Sequence, residues 1–218
     1  MADFFRGRPV LVTGGTGFIG RRLILALQAR GARLRVLRRA QSAWPADWRE
    51  VEPALGDLSD ALSLASACSG IDTVIHAAGF AHADAADTPD FAVRHWTANA
   101  EGTYRLLDAA AAAGVKRLVF LSSVKAVGDP GARCVDETWD QPARTPYGRA
   151  KRAAEARVAA VGRERGLHAV NLRPALVYGP GMEGKLQHIP VEDAGAVPLQ
   201  ALTELGAHEQ ELLARMGE

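Results

Sequence analysis

The chain has 218 residues, 48% of them apolar, which is enough for one large α/β domain or a domain with a small appendage. A formal charge of +1 gives no general attraction for nucleic acid or an anionic membrane, and no apolar run approaches bilayer-spanning length. Two cysteines, Cys68 and Cys134, and six scattered histidines form neither a disulfide framework nor a metal-ligand pattern. No metal is therefore expected, and the thiols read as reduced and cytoplasmic.

Met1 to Val10 runs straight into a first strand, Pro9–Val12, without a signal-peptide core. The glycine-rich stretch Thr13-Gly14-Gly15-Thr16-Gly17-Phe18-Ile19-Gly20 follows at once. A helical pattern over 18–30 comes next, with Leu23, Ile24 and Leu27 on one face. Strand, glycine turn and helix in this order form the geometry that binds a dinucleotide pyrophosphate. Glycines 15, 17 and 20 fit G-x-G-x-x-G, and Gly14, Gly17 and Gly20 fit the wider G-x-x-G-x-x-G. Glycine lets the backbone approach phosphate, while the free N–H groups at Phe18 and Ile19 open the helix toward the anion.

Further strands read as Arg33–Leu37, Val51–Leu55, Thr73–Ala77, Arg117–Ser122 and His168–Leu172, alternating with helices over 59–68, 90–113 and 146–165. Such alternation predicts βαβ units and a doubly wound, mostly parallel sheet of Rossmann type, with ligands at the C-terminal strand edge. The domain boundary is expected at 181. Beyond it, 182–218 forms a short appendage, and a last helix is expected over about 199–216. Just before it, Tyr178-Gly179-Pro180-Gly181 reads as a turn.

Strand two ends in Arg38-Arg39, where a carboxylate would accept from the free ribose hydroxyls; the next acid is Asp47. An arginine pair there can fork onto a 2′-phosphate, so NADP is expected, with NAD possible. Asp57, in Gly56-Asp57-Leu58, is placed to bond the adenine amino group. The small residues Ala77, Ala78 and Gly79 let cofactor lie against backbone, and His76 is given a structural or cofactor-edge role.

Tyr147 and Lys151 lie one helical turn apart on one face. A phenol with a pKa of about 10 is a poor acid–base group at neutral pH. A neighbouring ammonium, with an oxidised nicotinamide, favours phenolate and brings that pKa down. Ser122 and Ser123 close strand five at the same edge, where a hydroxyl can hold a substrate oxygen.

Taken together, T-G-G-T-G-F-I-G, G-D-L, H-A-A-G, Asn99-x-x-Gly102-Thr103, Ser122-Ser123, Y-x-x-x-K and Arg173-Pro174 with Tyr178-Gly179-Pro180-Gly181 occur in one order over about residues 8–182. In this the chain resembles the extended short-chain dehydrogenase/reductases of the NAD-dependent epimerase/dehydratase group. The resemblance implies that Ser123, Tyr147 and Lys151 are catalytic, that Asn99 helps position the lysine through water, and that Pro174 borders the cofactor. It implies an NAD(P)-dependent oxidoreductase or epimerase acting on a nucleotide sugar or similar carbonyl compound, cytoplasmic and homodimeric. Members of the group continue for another hundred residues or so, and here 37 follow Gly181, so a reduced substrate region is expected. The alternatives are a reductase of another small ketone, flavonoid- or steroid-like, and a catalytically weak NADP-binding sensor or partner protein. The apolar set Ala153, Ala154, Val158 and Val161 is expected to pack a partner.

Overall fold

A computed structural model of the chain describes residues 4–48, 50–80, 89–175, 177–178 and 197–198. Six strands form one parallel sheet: β1 (Pro9–Thr13), β2 (Arg33–Arg38), β3 (Glu52–Leu55), β4 (Thr73–His76), β5 (Arg117–Leu121) and β6 (His168–Leu172). Their spatial order is β3-β2-β1-β4-β5-β6, every neighbouring pair parallel. The order reverses direction between β1 and β4, the switch point at which doubly wound sheets open a crevice. Pro53 sits in the edge strand β3, where its missing N–H costs no interior ladder bond.

Strand side chains alternate between two apolar layers, as a period of two requires. On one face Leu11, Val74, Leu118 and Phe120 pack with Leu64, Leu106 and Val158, which come from α2 (Ala61–Cys68), α4 (Gly102–Ala112) and α5 (Pro146–Arg165). On the other, Val10, Val12, Ile75 and Val119 pack with Ile24 and Leu27 of α1 (Phe18–Ala29). Among the described residues no helix is long and apolar enough to cross a membrane.

The expected strands and helices are present with small changes at their ends, and one helix is resolved differently. The stretch expected as a single helix over 90–113 is α3 (Pro89–His95), a π-helical turn (Trp96–Glu101) and then α4. Within it the Gly102 N–H reaches Thr97 O, five residues back, and the Thr103 hydroxyl takes the Asn99 carbonyl at 2.8 Å. A side chain competing for a backbone carbonyl is what widens the turn. Strand β5 also stops one residue early, because Val124–Ala126 forms a 3₁₀ turn capped by Ser123.

Three of the four residues expected to receive a partner are occupied within the chain, while Ala153 is half-buried and outside the core cluster. Ala154 and Val158 are fully buried and Val161 is 3% exposed, all in the core cluster. Alanine and valine at that spacing on a long helix read equally well as a face toward the sheet. The appendage 182–218, the turn at Gly179-Pro180-Gly181 and the helix expected over 199–216 lie outside the described residues, apart from a two-residue pairing of Val177–Tyr178 with Val197–Pro198.

Candidate active site

The glycine turn ties β1 to α1. Gly14 has φ 72°, and a Cβ there would lie 2.6 Å from the Ala78 backbone nitrogen. A Cβ on Gly20 would overlap the Gly14 carbonyl oxygen, and one on Gly17 would approach it to 3.2 Å. Gly17 caps α1, so the N–H groups of the first turn, from Phe18 and Ile19 onward, lack partners inside the helix and face its N-terminal side. A side chain at Gly14 or Gly20 would collide with the backbone of Ala78 or of the turn itself, so glycine is what lets the turn close this tightly ahead of the free N–H groups of α1, as a dinucleotide-binding turn requires.

A cleft of about 550 Å³ opens beside this turn at the C-terminal ends of β1–β4. Gly14, Thr16, Arg38, Arg39, Ser42, Asp57, Leu58, Ala78 and Gly79 line it, joined by Phe80, Val93, Arg94, Thr97 and Ala98. Of the expected cofactor residues, Gly14, Arg38, Arg39, Asp57, Leu58, Ala78 and Gly79 are in this lining, while Gly17, Phe18, Ile19, Gly20, Ala77, Tyr147, Lys151 and Pro174 are not. Ala77 closes the turn by donating its N–H to Thr13 O at 3.1 Å. The Arg38 guanidinium donates to Arg39 O and Ala40 O, at 3.2 and 2.7 Å, and lies 5.5 Å from the Trp44 ring. Asp57 uses its Oδ1 to accept from the Ser59 N–H and hydroxyl, which hold its carboxyl below the usual range, with Arg39 adding to the effect.

The opposite wall lacked a sequence signal. Arg94 stacks on Phe80 with its guanidinium carbon 4.5 Å from the ring centroid. Position alone gave no reason to single out either residue. The only available clue was that Phe80 directly follows H-A-A-G.

Ser123, Tyr147 and Lys151 gather at the ends of β5 and α5. Thr145 caps α5 by accepting from Gly148 N–H at 3.0 Å, and Pro146 fits its first turn. Ser123 is oriented by the backbone, its oxygen accepting from the Lys125 N–H at 3.2 Å, and its side chain acts to lower the Tyr147 phenol. Ser122, the other strand-end serine, is buried, and its backbone N–H goes to Leu172 O at 2.7 Å. Val124 N–H donates to Pro174 O at 3.1 Å, which brings Pro174 beside this group.

One expectation about this trio needs correction. Burial raises the Tyr147 phenol above its usual value, with the Ser123 hydrogen bond pulling the other way. The lysine is not among the causes that move it: the Lys151 ammonium donates to Leu121 O at 2.7 Å and lies 4.6 Å from the Phe120 ring. Burial lowers Lys151 to about 8, and the Glu155 charge opposes that shift. Asn99, expected to position the lysine through water, holds Phe80 with its side chain. Its Oδ1 accepts from Phe80 N–H at 2.8 Å, its Nδ2 donates to Phe80 O at 2.9 Å, and Nδ2 also reaches His95 Nδ1 at 3.2 Å.

Beneath the trio lies Glu155, 3% exposed. Burial alone would raise its carboxyl, but Arg173 donates twice, at 2.8 and 2.7 Å, and with Arg152 holds it down. Glu155 follows Lys151 by four residues on α5, so its charge also favours the ammonium.

The profile of the NAD dependent epimerase/dehydratase family matches residues 10–197, and the chain belongs to that family. It is 34% identical over 177 residues to a 3-beta-hydroxysteroid dehydrogenase of Mycolicibacterium neoaurum, covering 79% of this chain and 48% of that protein. It is 37% identical over 177 residues to a 3 beta-hydroxysteroid dehydrogenase/Delta 5-->4-isomerase of Mycobacterium tuberculosis, with the same coverage of 79% and 48%. The structure is similar to that of the Thermus thermophilus UDP-glucose 4-epimerase in complex with NAD, at a TM-score of 0.77 and 28% identity over 92% of this chain and 73% of that one. The chain spans about half the length of these curated relatives.

Proposed function

We propose that the chain is an NAD(P)-dependent oxidoreductase or epimerase acting on an alcohol or carbonyl carbon, with Tyr147 as its acid–base group. The observation that carries this reading is the gathering at the end of β5 of Ser123, whose side chain acts to lower the Tyr147 phenol, and buried Lys151, one turn further along α5 from Tyr147 and held to Leu121 O. A bound nicotinamide cofactor supplies or accepts the hydride. Tyr147 gives the proton to, or takes it from, the substrate oxygen, and Ser123 holds that oxygen in place. The Lys151 ammonium can reach the nicotinamide ribose. Preorganised donors of this kind lower the barrier because they need no rearrangement during reaction.

Gly14, Gly17 and Gly20 would hold the pyrophosphate, and Asp57 and Leu58 the adenine. Ala78 and Gly79 would back the nicotinamide half. The absence of an acid at Arg38-Arg39 favours NADP, with NAD as the other candidate. The substrate is a nucleotide sugar in this reading, supported by the likeness to UDP-glucose 4-epimerase. A steroid-like substrate is the second reading. It is favoured by the hydroxysteroid dehydrogenases among the relatives, and by the Phe80, Phe91 and His95 rings grouped beside Tyr147. A homodimer, expected from the family likeness, belongs to the proposal, and light scattering on the purified protein tests it.

The test is turnover of UDP-glucose, keto-sugar nucleotides and 3β-hydroxysteroids by the wild type and by Tyr147→Phe. The reading predicts activity on one class that falls by a factor of about 100 or more in the variant, with cofactor affinity retained. Activity equal in both proteins would remove Tyr147 from the mechanism.

A further inference from the structure

His76 occupies the end of β4 at 0% exposure with both ring nitrogens in use. Thr13 Oγ1 lies 2.6 Å from Nδ1, and Thr103 Oγ1 lies 2.9 Å from Nε2. The bonds beyond the ring fix their direction. The Thr103 hydroxyl donates to the Asn99 carbonyl at 2.8 Å, so it can only accept from His76, which puts the ring proton on Nε2. Nδ1 then accepts from the Thr13 hydroxyl, whose oxygen in turn accepts from the Ala78 N–H at 3.2 Å. Every donor and acceptor along this line is used once. Burial holds His76 down to about 3, so the ring stays neutral and the pattern does not invert near neutral pH.

The ends of the line belong to the cofactor edge. Thr13 opens the glycine turn, and Ala78 lines the cleft. Asn99 sits in the π-helical turn, where Thr103 captures its carbonyl. The Asn99 side chain clamps both backbone groups of Phe80, and a Cβ on Gly79 would lie 2.7 Å from Asn99 Oδ1 and 3.5 Å from Lys151 Nζ. Moving Asn99 therefore moves the backbone wall at Gly79-Phe80. An apolar residue at 76 would fill the same core space without joining these points.

We propose that His76, acting through Thr103, is a positioning residue: its neutral imidazole is a strut that ties the glycine turn at Thr13 to the π-helical turn at Asn99 and so sets the wall against which the dinucleotide lies. The proposal rests on the NAD(P) reading given above. It assigns a binding consequence to two residues that touch neither the cleft nor the reacting atoms.

The test is titration of the full chain with NADPH and NADH by fluorescence, on wild type, Thr103→Val, Thr103→Ser and His76→Asn, beside a thermal melt of each. Valine keeps the shape of threonine and removes the hydroxyl, while serine keeps the hydroxyl. Thr103→Val is expected to weaken binding of the preferred cofactor by roughly fivefold or more, at a temperature where its melt shows it fully folded, and Thr103→Ser to recover most of that affinity. His76→Asn is expected to follow Thr103→Val, and if it does not fold, the threonine pair carries the test alone. A folded Thr103→Val that binds within about twofold of wild type, whatever its melting temperature, overturns the inference and leaves the line a stability element only. A wild type that binds neither nucleotide overturns the cofactor reading, and the inference with it.

Discussion

Lys151 donates from its ammonium group to the carbonyl oxygen of Leu121 at 2.7 Å, one turn along α5 from Tyr147. The cation is thus anchored to the end of β5, not to the phenol.

This anchoring gives a first prediction. In the proposed mechanism Lys151→Met should lower turnover by a factor of about 100 or more, because the ammonium that would hold the nicotinamide ribose in place is gone. Wild-type activity that depends on the ammonium should fall as pH rises through about 8. Stability moves the opposite way. The folded value of about 8 lies below the ordinary 10.5, so the unfolded chain binds more protons between them. The contribution of Lys151 to stability therefore rises with pH across that window, and Lys151→Met should remove the rise, as read by urea unfolding at pH 8 and 10.

His76 gives the acid counterpart. Its folded value of about 3 lies below the ordinary 6.5, so the unfolded chain again binds the extra proton between the two. Stability is present above 6.5 and is lost as pH falls toward 3, at up to about 1.4 kcal/mol per pH unit from this residue. The wild type should lose more stability than His76→Asn between pH 7 and 4.5 in the same urea titration. Equal losses would mean that the ring accepts a proton without breaking its bond from Thr13.

At the ribose end of the cleft, replacing both Arg38 and Arg39 by alanine should weaken NADPH by about tenfold or more and leave NADH nearly unchanged, since only the 2′-phosphate needs the cations. A parallel loss for both nucleotides would mean that the pair shapes the loop, where Arg38 already bonds Arg39 O and Ala40 O.

The glycine turn yields a structural prediction. Gly20→Ala places a Cβ onto the Gly14 carbonyl, which cannot retreat because Gly14 itself packs on Ala78. A cost of about 2–4 kcal/mol in unfolding free energy and a large loss of cofactor affinity should follow together. Calorimetry with and without NADPH measures both.

Much of the fold was legible because its signals are periodic. Val10-Leu11-Val12 and Leu118-Val119-Phe120 are short buried runs, and α5 carries a cap at Thr145 and a left-handed glycine at Gly166. The π-helical turn was not legible, since Trp96–Glu101 has ordinary helical composition and depends on where one threonine hydroxyl bonds. Glycine spacing marked the turn that lines the cleft, but Arg94 entered the opposite wall on α3 and stacks there on Phe80, just past β4, which no local pattern announces. The buried Ala154–Val161 face was visible in the sequence but misassigned, because periodicity reports that a helix face is apolar and not what covers it.

The central claim is that this chain binds a nicotinamide dinucleotide in the cleft between the glycine turn and Phe80. Fluorescence titration of the wild type with NADPH and NADH tests it most directly. Saturable binding of one nucleotide per chain, tighter for NADPH and lost in Gly20→Ala, is the predicted result. No saturable binding of either nucleotide by the folded protein would contradict the claim.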